Sequence, residues 1–158
     1  MVIRILATTR RCNFISWAIR TIQGTAYSHF GIEVKGVVLE STGVGVHLTR
    51  LPDFRKHNQI IKVWELDLDI YPEVLYEWMA SVIGTKYGYL QNFGYLLMAL
   101  KILKKNPWGR NSERIVCSEV VALFIKKFAN VKIGDSDKYD LVETEKLIQR
   151  TYYANRTR

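Results

Sequence analysis

SHFGIEVKGVVLEST, residues 28–42, decides how the first half of the chain folds. Apolar residues alternate with others on both sides of Lys35-Gly36. That pattern predicts two antiparallel strands joined by a two-residue turn. In this register Val34 faces Val37, Ile32 faces Leu39 and Gly31 faces Glu40. Side chains alternate between the faces of a strand. Phe30, Ile32, Val34, Val37 and Leu39 therefore share a wholly apolar face, which is the core side. His29, Gly31, Val38 and Glu40 share the other.

His29 and Glu40 are then diagonal neighbours, with a backbone spacing of about 7–8 Å. Gly31 has no side chain to stand between them. Glu40 can reach the imidazole and hold its tautomer, the task of the third group in a nucleophile–base–orienter triad. Glu33 lies on the same face but roughly 13 Å along the strand, and is the poorer candidate. A bulged turn at Gly36 would slip the register and turn Glu40 over. The apolar set argues against the slip, because it would expose Val37 and Leu39.

VCSEVVALF, residues 116–124, brings the complementary chemistry. The extended lead Arg114-Ile115-Val116 runs into an apolar-periodic helix, with Val120, Val121, Phe124, Ile125 and Phe128 on one face. Cys117 sits where the helix begins. The positive end of the helix dipole favours a thiolate there, and Arg114 stands close by in sequence. The first-turn amides can serve as donors to an oxyanion. Cys12, in RRCN, also precedes a helix but has no apolar lead-in strand. A lone cysteine in such a setting is usually a small buried hydrophobe. Joined to a histidine in a suitable strand, it becomes a candidate nucleophile.

Around these two stretches the remaining elements follow. VIRILAT (2–8) reads as a strand, and NFISWAIRTIQGT as a helix stopped by Gly24. VGVHLT is a further strand, LPDFRKHN a helical turn after Pro52, and IIKVWELD (60–67) a strand. YPEVLYEWMASVIGTKYGY opens a helix with Pro72 near its start, and after a break around Gly84 to Gly88 LQNFGYLLMALKILKK is helical again. LVETEKLIQRTYY is a last helix with Thr144 as its cap. Strands crowd the first half and helices the second. This predicts an α+β fold with an antiparallel sheet rather than a parallel βαβ fold.

The 158 residues are the size of one domain, 1–158, and 48% of them are apolar. Net charge is +8, which attracts anionic partners. Residues 101–114 hold five basic residues and one acidic, an expected contact for an anionic surface, membrane or nucleic acid. The basic end, 151–158, reads as a frayed tail. No secretory pattern opens the chain. With two cysteines and no disulfide framework, a cytoplasmic, reducing setting is expected, with carriage in a virion or release at lysis as alternatives. The longest uncharged run, Tyr87 to Leu100, is shorter than the roughly 20 residues a bilayer span needs. His29, His47 and His57 have no paired metal-ligand spacing, and there is no phosphate-cradling or dinucleotide motif, so no metal or cofactor is predicted.

SWAIRTIQGTAYSHFGIEV, VVLESTGVGVHLTRLPDF, IGTKYGYL and VCSEVVALF together resemble the circularly permuted papain-like hydrolases, the YiiX/YebB-like relatives of NlpC/P60 peptidases. The resemblance spans about residues 13 to 128. SHFGI and CSEVV are its most specific parts. It implies a papain-like sheet packed on the cysteine-bearing helix, with the order histidine, acid, cysteine. His29 is carried over as general base, Glu40 as orienter and Cys117 as nucleophile. Tyr87 in GTKYGY is similar to a pocket-lining tyrosine of that family. Ser118 and Tyr27, in the two motifs, are the other expected pocket residues.

The implied chemistry is amide or ester hydrolysis through an acyl-enzyme, on cell-wall peptides or, in lipid-acting cousins, acyl chains. Residues 89–116 depart from the family pattern in length and basicity, which suits a lid or docking surface. Three functions follow as expectations. The first is a cysteine amidase or peptidase. The second is a lipid acyl-hydrolase or acyltransferase, with amphipathic FGYLLMALKILKK on an anionic membrane. The third is a non-catalytic basic binding module on the same fold.

Overall fold

The computed structural model describes residues 1–10, 13–108, 113–129 and 139–157. Five strands form one antiparallel sheet: β1 (Val2–Arg10), β2 (His29–Val34), β3 (Val37–Thr42), β4 (Gly45–Arg50) and β5 (Asn58–Asp67). Their spatial order is β4-β3-β2-β1-β5. Two tight turns make β2, β3 and β4 a meander. Lys35 (φ 48°) and Gly36 (φ 83°) both take left-handed backbone, which lets a two-residue turn follow the twist of its strands. The register is the predicted one: Val34↔Val37, Ile32↔Leu39, Gly31↔Glu40. The next turn pairs Thr42 with Gly45 and sets Glu40 opposite His47.

The α+β class holds, with helices on both sides of the sheet. Phe30, Ile32, Val34 and Leu39 face the main core, as the alternation requires. Against them pack α5 (Cys117–Phe128) through Val120, Val121, Phe124 and Ile125, and α6 (Leu141–Arg156) through Leu147 and Ile148. Leu75 and Met79 of α3 (Pro72–Val82) complete that core. The opposite face has a smaller cover. Phe54 of α2 (Leu51–His57) lies on Leu6 and Val38. At one end of the sheet, α1 (Phe14–Gln23) packs beside α4 (Tyr89–Ala99). A parallel two-residue bridge, β6 (Lys86–Tyr87) with β7 (Arg114–Ile115), ties the lead-in of α5 to the segment before α4.

Local signals account for most boundaries. The Asn13 side chain caps α1 by accepting from the Ser16 amide at 3.1 Å, and Gly24 ends it in the left-handed region at φ 65°. Three expectations are corrected. The cap of α6 is Asp140, which accepts from the Glu143 amide at 2.8 Å, while Thr144 is fully buried one turn in. α4 stops at Ala99, short of its lysines, and Lys101 takes left-handed backbone at φ 59°. Residues 151–156 are the final turns of α6 and not a frayed end. Thr151 is buried, and the Asn155 amide group clamps the backbone of Asp67 with bonds of 3.0 and 2.6 Å.

Gly31 is held by space rather than by backbone angle. A Cβ there would sit 2.6 Å from Val38 Cγ1 and 3.5 Å from Phe54 Cζ. Gly31→Ala must push a branched side chain against a packed ring. We expect it to lower stability by about 1–3 kcal/mol in urea unfolding, and an unchanged midpoint would show that the face yields freely.

Candidate active site

The β2–β3 ladder ends at Gly31↔Glu40, two residues short of His29. The first turn of α5 is fastened beside this point. Ser41 Oγ donates to the Ile115 carbonyl at 2.8 Å. Glu119 reaches back to accept from the Val116 amide at 3.0 Å and also accepts from the Tyr95 hydroxyl at 2.9 Å. These bonds satisfy one free amide of the helix start and fix its position against β3 and α4. Cys117 is consequently brought to His29 across 88 residues of sequence: the two line one small cavity, and each shifts the ionisation of the other.

His29 Nε2 lies 2.9 Å from Glu40 Oε2, which leaves Nδ1 for the sulfur. The other Glu40 oxygen accepts from Thr49 Oγ1 at 2.7 Å and lies 3.6 Å from His47 Nε2. The carboxylate is 5% exposed and the imidazole 13%. Glu33, the weaker candidate, is engaged elsewhere. It takes Arg4 Nη1 at 3.1 Å and the Gly36 amide at 2.6 Å.

Burial and charge oppose each other here. Burial disfavours a thiolate at Cys117, yet the His29 charge and hydrogen bond, with the amides of Phe30 and Ser118, hold the thiol below its ordinary value. Burial likewise disfavours an imidazolium, yet the Cys117 and Glu40 charges push His29 up to about 9. Burial also works against a charged Glu40, but His29 and Thr49 keep its carboxyl below the usual range. Each group favours the charged form of its neighbour. The Arg114 side chain is exposed.

A cavity of about 30 Å³, lined by Cys117, Ser118 and His29, touches the sulfur. It shares Ile19, Ser28, His29, Tyr87 and Asn92 with a larger cleft of about 290 Å³ bounded by α1, the Gly43 turn and the start of α4. Tyr87 lines both cavities. Its ring packs edge-on to Tyr89 at 4.9 Å, and burial followed by the Cys117 charge pushes its phenol up. Ser118 lines the small cavity, with its hydroxyl donating to the Tyr139 carbonyl at 2.6 Å.

Tyr27 corrects the expectation. It is 4% exposed, packs on Phe30 and donates its hydroxyl to Glu145 of α6. The cavity it lines, with Lys62 and Glu145, is a separate one. Just before the strand, the chain turns this ring into the core. Cys12 lies outside the described residues.

Thr49, His47 and Asn92 are absent from the sequence reading of the site. The first two were accessible to it. Carrying the alternation one hairpin further puts His47 opposite Glu40 and Thr49 diagonal to it, on the same face. Asn92 offers a neutral amide to the cavity at Cys117. No local pattern marks it, because α4 reaches the site only through packing. No family model matches the chain, and no curated protein matches it.

Proposed function

We propose that the chain is a cysteine-nucleophile hydrolase that cleaves an amide through an acyl-enzyme, on a permuted papain-like fold, with cell-wall peptides as its substrate class. The observation that carries the chemistry is Cys117 set in one cavity with the hydrogen-bonded His29–Glu40 pair, beside an open cleft. The substrate class comes from the resemblance of the SHFGI and CSEVV motifs.

In this mechanism the thiol proton resides on His29, and Glu40 steadies the resulting imidazolium from Nε2. The thiolate attacks the substrate carbonyl. Charge moves to the carbonyl oxygen, which first-turn amides of α5 receive, with the Asn92 carboxamide lining the same cavity. His29 then passes its proton to the leaving amine as the C–N bond breaks. A water, relieved of its proton by His29, attacks the thioester and returns the free thiolate. The proton transfers typically account for about 10²–10⁴ in rate.

The test is covalent trapping. A thiol-directed electrophile at neutral pH is expected to label Cys117 far faster than Cys12, read by peptide mapping. A peptide thioester or activated amide should leave a single acyl adduct on Cys117 that hydroxylamine releases. Equal labelling of the two cysteines, together with no adduct, would overturn the proposal. A specific observation also favours the lipid reading of the same chemistry: exposed apolar side chains flank the cleft.

A further inference from the structure

The walls of the cleft are apolar where they meet solvent. Val44, at the tip of the β3–β4 turn, is 86% exposed, and Phe14 and Ile15 of α1 are 76% and 66% exposed. Trp17, Leu90 and Phe93 are each about half exposed. Ile15 lines the cleft, and each of the other five is next in sequence to a residue that does. Ile15, Gly43 and Tyr89 line it together, and the Tyr89 hydroxyl holds the Gly43 carbonyl at 2.9 Å. Phe14 and Trp17 stack 5.5 Å apart on α1, which packs against α4, the helix of Leu90 and Phe93. Single exposed apolar residues are ordinary, but a cluster of this kind on both lips of a cleft marks a surface that is covered in use.

Charge identifies the cover. Residues 10–32 and 86–112 carry α1, α4 and the flanking chain. They contain eight basic residues and no acidic one. The chain has 23 basic and 15 acidic residues, so everything outside these two segments balances at fifteen of each. The entire net charge of +8 therefore lies in these two stretches of sequence, which include α1 and α4. A second copy of the chain would bring the same positive charge against itself. Nucleic acid asks for planar stacking platforms; Phe14, Trp17 and Phe93 are planar, but they alternate with Ile15, Val44 and Leu90, which offer no such platform. Exposed aliphatic and aromatic side chains on segments of net positive charge suit acyl chains beneath anionic headgroups. No helix among the described residues is long and apolar enough to cross a membrane, so the contact is with one leaflet.

We propose that the cleft rim, built from α1, the Val44 turn and α4, docks the protein on an anionic phospholipid bilayer with the cleft mouth toward the lipid. The site proposed above is then presented to substrate at or in the membrane surface. This inference rests on that reading only for what the docked cleft does, not for the docking.

Flotation of the full chain with liposomes tests it. Vesicles of phosphatidylcholine with about a third phosphatidylglycerol are expected to carry the protein upward at low salt, and pure phosphatidylcholine at least tenfold less. F14S/W17S, which replaces two exposed residues outside the cleft lining, should reduce flotation at least tenfold while keeping the wild-type melting curve. K101E/K104E/K105E should weaken it as well and flatten its dependence on salt. Trp17 fluorescence should shift to the blue on vesicles. Flotation that survives F14S/W17S, or an oligonucleotide that competes the protein off vesicles, would overturn lipid docking in favour of a purely electrostatic or nucleic-acid surface. Cys117 labelling run in parallel separates the two proposals. Reactive Cys117 without flotation defeats the docking alone, and flotation with inert Cys117 defeats the hydrolase alone.

Discussion

His29→Ala is expected to cut turnover at neutral pH by about 10²–10⁴-fold and to erase the preferential labelling of Cys117. The physical reason lies in the burial of the thiol. Cys117 is 7% exposed, and burial alone drives its pKa upward. Only the imidazole and two backbone amides reverse that drive. Without the imidazole the balance tips back, so the thiolate forms only at more alkaline pH. Labelling rate against pH measures this directly. The variant's profile should rise at a higher pH than the wild-type profile, toward the behaviour of an ordinary or buried thiol. A variant that keeps the wild-type profile would mean that the helix start alone activates the sulfur, and the pair would lose its meaning. Because His29 is partly exposed at the end of β2, the substitution is expected to leave the core packing of Phe30 and Ile32 in place.

Glu40→Gln is expected to lower kcat by about 10²–10⁴-fold with a smaller change in KM. It should also narrow the pH window from both sides. The working form requires a thiolate and an imidazolium together. The thiolate appears as pH rises through the lowered Cys117 value. The imidazolium is lost as pH rises through the His29 value, about 9. The Glu40 charge supports His29, so its removal lowers the imidazole pKa and moves the alkaline limb to lower pH. A proton held less firmly on His29 supports the thiolate less, so the acid limb moves up. A kcat/KM profile from pH 5 to 10 reads both limbs. If the limbs stay in place while kcat falls, Glu40 acts by positioning the ring and not through its charge. Thr49 and His47 bracket the second Glu40 oxygen, so a neutral amide there meets one donor at 2.7 Å that suits it and a histidine that need not.

Both outcomes depend on a contact between His29 and Cys117 that the chain makes across most of its length. The two halves of that contact were legible separately. Alternation across Lys35-Gly36 dictated the hairpin register, and with it the approach of Glu40 to His29 and the gap left by Gly31. Apolar period and an extended lead-in put Cys117 at a helix start. Asn13 and Gly24 delimited α1 for the same reason: caps and turns act through neighbours a few residues away. What reached further did not show. Tyr27 lies two residues from His29, yet its ring belongs to a core completed by Glu145 of α6. Thr144 had the chemistry of a cap, but Asp140 occupies the position that faces the free amides.

By itself the sequence determined the α+β class, the sheet register around residues 28–42, and the local setting of each reactive side chain, because near-neighbour sterics and hydrogen bonding govern all three. Tertiary structure alone decided that Ser41 and Glu119 would fasten the start of α5 beside the open end of the β2–β3 ladder. It alone closed α1 and α4 into a cleft. Those arrangements come from burying apolar faces between elements far apart in the chain, and such packing leaves no period in the residues that it joins.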